Sequence, residues 1–163
     1  MMNKTFIGLG SNLGERGKNI LTAWEKINTL PETETVRLSS PFSTKPVEII
    51  SENWFINAVG LVTTFRSCHT FLQDLLAVEI GMGRDRLLGR DRIIDIDILF
   101  YGDAIESTHE LTVPHPEIQN RLFVLAPLAE LAPTHRHPVL GKTMTELLSA
   151  FEPCDQTAQI TTW

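Results

Sequence analysis

Residues 92–100 read RIIDIDILF, and this stretch decides how the chain folds. Three isoleucines alternate with Asp95 and Asp97, which is the period of two that a half-buried β-strand shows. Successive side chains of a strand point to opposite faces, so both carboxylates share one face and the isoleucines share the other. The Cα atoms of the two aspartates would then lie roughly 6.5–7 Å apart. The pattern predicts a strand with one apolar and one acidic face.

The acidic face of this strand is costly unless a cation lies beside it. Two bare carboxylates at that spacing repel by about 2.5 kcal/mol if the effective dielectric constant is about 20. A divalent cation removes the repulsion, and a site built from oxygen atoms suits Mg²⁺. Four arginines crowd the segment just before the strand: Arg84, Arg86, Arg90 and Arg92. Paired carboxylates beside guanidinium groups favour a metal-assisted phosphate site. Two plainer interpretations stay open, a solvated strand face and arginines that merely neutralise the aspartates.

Length and composition are typical of one globular domain. The chain has 163 residues, enough for one core, and we expect a single domain over residues 1–163 with a polar tail from residue 153. A formal charge of −6 argues against nucleic acid or an anionic membrane as partner. No apolar run reaches the ~20 residues of a membrane helix, and no signal peptide is evident. Cys68 and Cys154 lack metal-binding spacing, which favours reduced thiols in a cytoplasmic protein. We expect a monomer.

The spacing of apolar residues predicts the order of helices and strands. Further strands are predicted at 5–10, 33–44 and 54–64, with a short one within 104–111. Helices are predicted at 15–30, 67–81, 121–132 (interrupted by Pro127) and 143–151.

Several polar residues stand where packing alone does not explain them. Asn57 lies in an apolar strand and must bond either a neighbouring loop or the edge of a planar ligand. Glu79 falls in the last turn of a helix, where the macrodipole disfavours an acid, so a cation or ligand donor is expected nearby. His115 stands between two prolines, on a surface loop or against a ligand. His135 and His137 are expected in a surface turn rather than at a metal.

Five motifs occur in one order along the chain. They are GLGSNLG at 8–14, NAV at 57–59, GRDR at 83–86, RIIDID at 92–97 and LTVPHP at 111–116. Each is weak alone, but together they resemble the signatures of the 6-hydroxymethyl-7,8-dihydropterin pyrophosphokinases of the folate pathway, over residues 5–140. The resemblance implies transfer of diphosphate from ATP to the pterin hydroxymethyl group with release of AMP. It also implies an α+β ferredoxin-like sandwich, a mostly antiparallel sheet with helices packed on one side, and the predicted order of elements fits that type.

The resemblance also implies roles for individual residues. Asp95 and Asp97 match the aspartates that bind two Mg²⁺ ions, and with Arg84 and Arg92 they make up the catalytic set. The positions that match the pterin pocket are Thr44, Val47, Phe55, Asn57 and Phe123. The positions that match the nucleotide site are Glu79, Arg84, Arg92, Ile98, Thr112, His115 and Arg121.

Two other functions stay open at this point. The aspartate pair would also serve a different Mg²⁺-dependent phosphoryl or nucleotidyl transferase. A non-catalytic pterin- or nucleotide-binding module is the other alternative, against which the retained Arg84 and Arg92 argue. The sequence identifies no catalytic base.

Overall fold

The strands and helices follow the order that the sequence predicts. The computed structural model describes residues 1–46, 52–85, 87, 89, 91–152 and 155–163. Its strands are β1 (Asn3–Ser11), β2 (Thr33–Leu38), β3 (Phe42–Thr44), β4 (Phe55–Thr64), β5 (Asp95–Tyr101), β6 (Glu106–Ser107), β7 (Thr112–Val113) and β8 (Ala158–Ile160). Its helices are α1 (Arg16–Asn28), α2 (Cys68–Gly81), α3 (Leu122–Leu131) and α4 (Met144–Ser149), with a 3-10 turn at Ile118–Asn120.

One six-stranded sheet forms the centre of the fold. Its strand order is β5-β1-β4-β3-β8, and β2 also pairs with β4. Every pair of neighbours in this sheet is antiparallel. The α+β class with a mostly antiparallel sheet is therefore confirmed. The predicted strand at 33–44 divides into β2 and β3, both bonded to β4, and the predicted polar tail contains β8, which pairs with β3.

Helices pack on both faces of the sheet, whereas the resemblance implies helices on one side. Helices α1 and α2 cover the first face, where their apolar residues pack with those of β1, β4 and β5. Helices α3 and α4 cover part of the second face. Helix α3 is apolar almost throughout and contains Pro127, so its pattern alone does not indicate which sheet face it covers. The second face stays open where α3 begins.

Strand β5 contributes to both faces, as its alternation predicts. Ile96 and Ile98 are 3% and 4% exposed in the core under α1 and α2, while Asp95 and Asp97 point to the second face. The strand begins at Asp95 rather than at residue 92. A bulge shifts its register with β1, so Leu99 and Phe100 both pack on the second face.

The histidines of residues 133–138 do not form the surface turn that the sequence favours. His137 is only 5% exposed, and its ring centroid lies 5.4 Å from that of Phe100. The ring of His135 lies 4.7 Å from Phe100 and 4.9 Å from Phe6. The prediction was wrong for His137, because this loop folds back over the sheet with α4, where aromatic packing buries the ring of His137 and half-buries that of His135. Along the described ranges no helix is long and apolar enough to cross a membrane.

Gly60 on β4 makes room for Trp24 of α1. A Cβ atom at Gly60 would lie 2.2 Å from Trp24 Cζ3, which no side chain contact permits. Gly60→Ala should therefore lower the free energy of unfolding by about 1–3 kcal/mol, the usual cost of an over-packed core. Urea denaturation measures this loss. The double variant Gly60→Ala/Trp24→Leu should lose less than the sum of the two single variants, and strictly additive losses would show that the contact does not carry the effect.

Candidate active site

A cavity of about 260 Å³ opens on the second face of the sheet. It lies where β1, β3, β4 and β5 meet the start of α3. Nine residues predicted for the site line it: Thr44, Phe55, Asn57, Arg92, Asp95, Asp97, His115, Arg121 and Phe123. The sheet thus gathers side chains that are far apart in the sequence onto one concave surface.

Two glycines of β1 form the floor of the cavity. Gly10 is paired on one side with Asn57 of β4 and on the other with Asp95 of β5, and Gly8 is paired with Asp97. A Cβ atom at Gly10 would lie 2.8 Å from Asn57 Oδ1. The sequence analysis did not include these glycines in the site. Their spacing of two could have indicated the cavity, since two glycines two residues apart on a strand leave one face of that strand without side chains.

An ion-pair network holds Asp95. Its two carboxylate oxygens lie 2.7 Å from Arg84 Nη1 and 3.0 Å from Arg92 Nη2. The same Arg84 nitrogen lies 2.5 Å from Glu79, whose side chain is 2% exposed. Glu79 also accepts a hydrogen bond of 2.6 Å from the backbone N–H of Ile96. Glu79, at the end of α2, therefore has both a cation, Arg84, and a hydrogen-bond donor, the N–H of Ile96, as its position predicts.

Of the two aspartates, Asp97 is the one whose negative charge is less well stabilised by its surroundings. Burial raises the pKa of its carboxyl to about 7, and the nearby charges of Asp95 and Glu79 act in the same direction. Arg121 and Arg92 offset this only partly. Within the part of the chain that the structure describes, no basic group lies within 4 Å of the Asp97 carboxylate. A cation beside Asp97 would relieve this strain.

The acids of the site suit magnesium better than a metal held by protein alone. Among the residues with described positions, no group of three or more His, Cys, Asp or Glu side chains is arranged to hold a metal. Mg²⁺ is commonly bound by one or two carboxylates, with water and substrate phosphates completing its octahedron. Asp95 and Asp97 fit that donor set.

His115 is fixed as a neutral hydrogen-bond donor. Its Nδ1 accepts from the backbone N–H of Glu117 at 3.2 Å, which leaves the proton on Nε2. Its own backbone N–H donates to the carbonyl of Leu99 at 2.9 Å. Burial lowers the pKa of His115, and the adjacent Arg121 lowers it further.

Two phenylalanines give the cavity its apolar walls. Phe55 of β4 is 7% exposed, and the Arg92 guanidinium lies 5.4 Å from its ring centroid. Phe123 lies in the first turn of α3, with the Arg121 guanidinium 5.8 Å from its ring. Aromatic faces next to a row of polar groups suit a flat heterocycle.

The remaining predicted residues lie around the cavity or away from it. Arg84 and Glu79 reach the cavity only through Asp95. The side chain of Ile98 packs in the core on the opposite face, so only its backbone faces β1. Thr112 belongs to β7, which pairs with β6. Val47 lies outside the described residues. Lys45, which the sequence analysis did not select, also lines the cavity.

Comparison with known proteins identifies the family. Residues 6–133 match the model of the family described as 7,8-dihydro-6-hydroxymethylpterin-pyrophosphokinase (HPPK). The chain is 35% identical over 154 residues to a 2-amino-4-hydroxy-6-hydroxymethyldihydropteridine pyrophosphokinase of Methylorubrum extorquens, covering 93% of this chain and 96% of that protein. The protein of the same name from Pseudomonas aeruginosa is 37% identical over 151 residues, covering 92% and 93%.

The solved structures agree on the fold. The crystal structure of wild-type Plasmodium falciparum HPPK-DHPS with pteroate superposes with a TM-score of 0.76 at 16% identity, over 91% of this chain and 44% of that chain. The chain thus spans less than half of that solved chain. Fold and family match together make the protein an enzyme of the pyrophosphokinase class. The chain belongs to the 7,8-dihydro-6-hydroxymethylpterin-pyrophosphokinase family.

The raised pKa of Asp97 predicts that Asp97→Asn stabilises the metal-free protein. The Asp97 carboxyl has a pKa of about 7 in the folded protein, against an ordinary value of 3.8. Its protonated form therefore stabilises the folded state at low pH, and this stabilisation is lost as the pH rises through 7. The amide of the Asp97→Asn variant carries no charge at any pH, so the variant does not lose this stability as the pH rises. We expect the free energy of unfolding to rise by about 1–3 kcal/mol at pH 8 and to be unchanged at pH 4.

Urea denaturation at several pH values, with a chelator present, measures this effect. Glu34→Gln, at an exposed carboxylate on β2, serves as the matched control and should give no comparable gain. An Asp97→Asn protein no more stable than the wild type at pH 8 would contradict the unfavourable burial of this charge.

Proposed function

We propose that this cavity transfers the diphosphate of ATP to the hydroxymethyl group of 6-hydroxymethyl-7,8-dihydropterin and releases AMP, with two Mg²⁺ ions held by Asp95 and Asp97. The pterin pyrophosphokinase activity, a step of folate biosynthesis, is that of the family. The proposal adds the residues and the metal ions. The observation that carries it is the half-buried carboxylate pair on β5 in a cavity with aromatic walls, with Arg84 and Arg92 paired to Asp95.

The carboxylate pair would hold the metal. ATP carries roughly four negative charges, and an incoming alcohol oxygen must approach its β-phosphorus against them. When bound, Mg²⁺ neutralises part of that charge and polarises the phosphoryl oxygens. Asp97, with its pKa near 7, then stays ionised because the cation replaces the missing counter-charge.

On binding of metal and ATP, Arg84 and Arg92 would exchange their ion pairs with Asp95 for contacts with the triphosphate. Arg84 and Arg92 now neutralise Asp95 at 2.7 Å and 3.0 Å. A cation at Asp95 competes for the same oxygens, which frees both guanidinium groups for the triphosphate. Planar guanidinium groups bind phosphate oxygens in pairs. Their contact strengthens as negative charge develops on the departing AMP, so it favours the transition state over the bound substrate.

The pterin would lie between the aromatic walls and be recognised at its edge. Asn57 Nδ2 donates a 2.7 Å hydrogen bond to Thr44 Oγ1, which fixes the orientation of the amide. Its Oδ1, beside Gly10, is then the atom that accepts an N–H of the heterocycle. Phe55 and Phe123 supply stacking surfaces. Val47 remains a proposed pterin residue on the resemblance alone.

The nucleotide would occupy the part of the cavity lined by His115 and Arg121. His115 offers its Nε2–H and Arg121 its guanidinium group to phosphate oxygens. Glu79, Thr112 and the backbone of Ile98 are the other proposed nucleotide positions. All lining side chains come from one chain, so we also propose that the monomer is active, which light scattering at assay concentration tests.

The product formed from ATP tests the reaction. The protein is incubated with ATP, Mg²⁺ and 6-hydroxymethyl-7,8-dihydropterin, and the nucleotide products are separated by chromatography. We expect AMP in amounts equal to the pterin diphosphate, and none without Mg²⁺. ADP would indicate a different phosphoryl transferase, and binding without turnover would indicate a non-catalytic module.

Gly10 tests how the pterin edge is recognised. A methyl group at Gly10 would displace Asn57 Oδ1, so Gly10→Ala should weaken pterin binding by about tenfold or more, the value of one or two good hydrogen bonds. Titration calorimetry with the pterin measures this. Gly8→Ala is the matched control on the same strand and face, because its methyl group would lie 3.6 Å from Leu99, an ordinary contact. Equal losses in both variants would contradict the role given to Asn57.

A further inference from the structure

Asn12, in the loop after β1, is bonded at three points to the residues just before β5. Its Oδ1 accepts a 2.7 Å hydrogen bond from the backbone N–H of Arg92, and its backbone N–H donates to the Arg92 carbonyl at 3.1 Å. Its Nδ2 donates to Asp91 Oδ1 at 2.6 Å. The second Asp91 oxygen accepts from Asn53 Nδ2 at 3.3 Å. Asn12 is 3% exposed, although it lies in a loop.

We propose that Asn12 and Asp91 form a latch that positions Arg92 for the transfer reaction. The latch consists of the Asn12–Asp91 side-chain bond and the two bonds from Asn12 to the backbone of Arg92. The inference rests on the proposed role of Arg92. It gives a positioning role to Asn12, which lies in the first of the five motifs but is not among the predicted site residues.

The latch acts in the stretch just before β5, which lies outside the sheet. The segment that leads to Arg92 is rich in glycine, and Gly83 and Gly89 both have positive φ angles. Strand β5 begins only at Asp95. Bonds to both the N–H and the carbonyl of Arg92 fix its peptide groups on either side, and so fix the direction in which its side chain leaves the backbone. That side chain reaches Asp95 at 3.0 Å and lies over the ring of Phe55.

An asparagine is required at position 12 for chemical reasons. The side chain must accept from the Arg92 N–H and donate to the Asp91 carboxylate at once, and an amide carries both groups in one plane. The bond to Asp91 is charge-assisted, which fits its length of 2.6 Å. An aspartate at position 12 has the same shape, but its carboxylate would lie against that of Asp91 and repel it.

A small displacement of Arg92 is sufficient to lower the rate. Groups that stabilise a transition state must be placed to within a fraction of an ångström, and a shift of about 1 Å can cost about a hundredfold. Binding of ATP draws on many contacts and is less sensitive. Loss of the latch should therefore lower kcat much more than it raises the KM for either substrate.

A reciprocal exchange tests the latch in the full-length enzyme. Asn12→Asp should lower kcat by about tenfold or more with KM changed by less than about threefold. Asp91→Asn alone should have a small effect, because its amide oxygen still accepts from Asn12. The double variant Asn12→Asp/Asp91→Asn restores one donor and one acceptor with their positions exchanged. We expect its kcat to return to within about threefold of that of Asp91→Asn.

Two comparisons make the outcome decisive. Asn19→Asp alters an amide in the first turns of α1 that donates to the Leu13 carbonyl at 2.9 Å and to Ser11 Oγ at 3.2 Å, and the hydrogen bonds described for it do not involve Arg92. It should leave kcat within about threefold of wild type, and urea denaturation shows whether the variants are folded. If Asn12→Asp leaves kcat unchanged, if the double variant is as slow as Asn12→Asp, or if Asn19→Asp is equally slow, the latch is refuted.

Arg92→Ala separates failure of the latch from failure of the proposed function. It should lower kcat far more than it raises KM, because its contact strengthens as charge develops. A slow Arg92→Ala enzyme with a fast Asn12→Asp enzyme refutes the latch alone. An Arg92→Ala enzyme with unchanged kcat refutes the role of Arg92, and with it the basis of the latch.

Discussion

Repulsion between the carboxylates of Asp95 and Asp97 is the constraint on which the site depends. The alternation of β5 sends its isoleucines into the core under α1 and α2, so both acids are forced onto the second face. The fold offsets the charge of Asp95 with two arginines and leaves Asp97 with a pKa near 7. In the proposed reaction a cation and a polyphosphate would together resolve this imbalance, since the cation would neutralise the acids and the polyphosphate would neutralise the arginines. Substrate binding would then exchange the partners of these side chains without burying new uncompensated charge.

The neighbouring strand β1 provides the space that the proposed exchange would need. Gly8 and Gly10 pair with the two aspartates and leave the face between β4 and β5 without side chains. Most strands disfavour glycine, because it packs nothing and costs conformational entropy. Here the open strip allows Asn57, the acids and the aromatic rings to face one cavity, while helices α1 and α2 behind the sheet supply the packing energy that the glycines do not.

Local pattern predicted the longer strands, the helices and the acidic face of β5, because each follows from a short periodicity in the chain, but not the short strands β7 and β8. It did not predict that α3 and α4 cover the second face, since α3 is apolar on all sides and its contacts are decided by distant strands. The burial of His137 and the partial burial of His135 were missed for the same reason. For the site, the residues predicted by resemblance fall largely around one cavity, whereas Gly10 and Asn12 matter through pairings with residues more than forty positions away. No local signal carries such pairings.

The bulge in β5 determines where this strand can tolerate a change in length. Leu99 is the extra residue opposite β1, and it lies after both aspartates. An evolutionary deletion at this point would remove the bulge and leave Phe100 and Tyr101 on the faces they now occupy, while the acids kept their register. A deletion between Asp95 and Asp97 would instead direct one carboxylate into the core. Among diverging homologues, alignment gaps in this strand are therefore expected at the leucine and not among the residues before it.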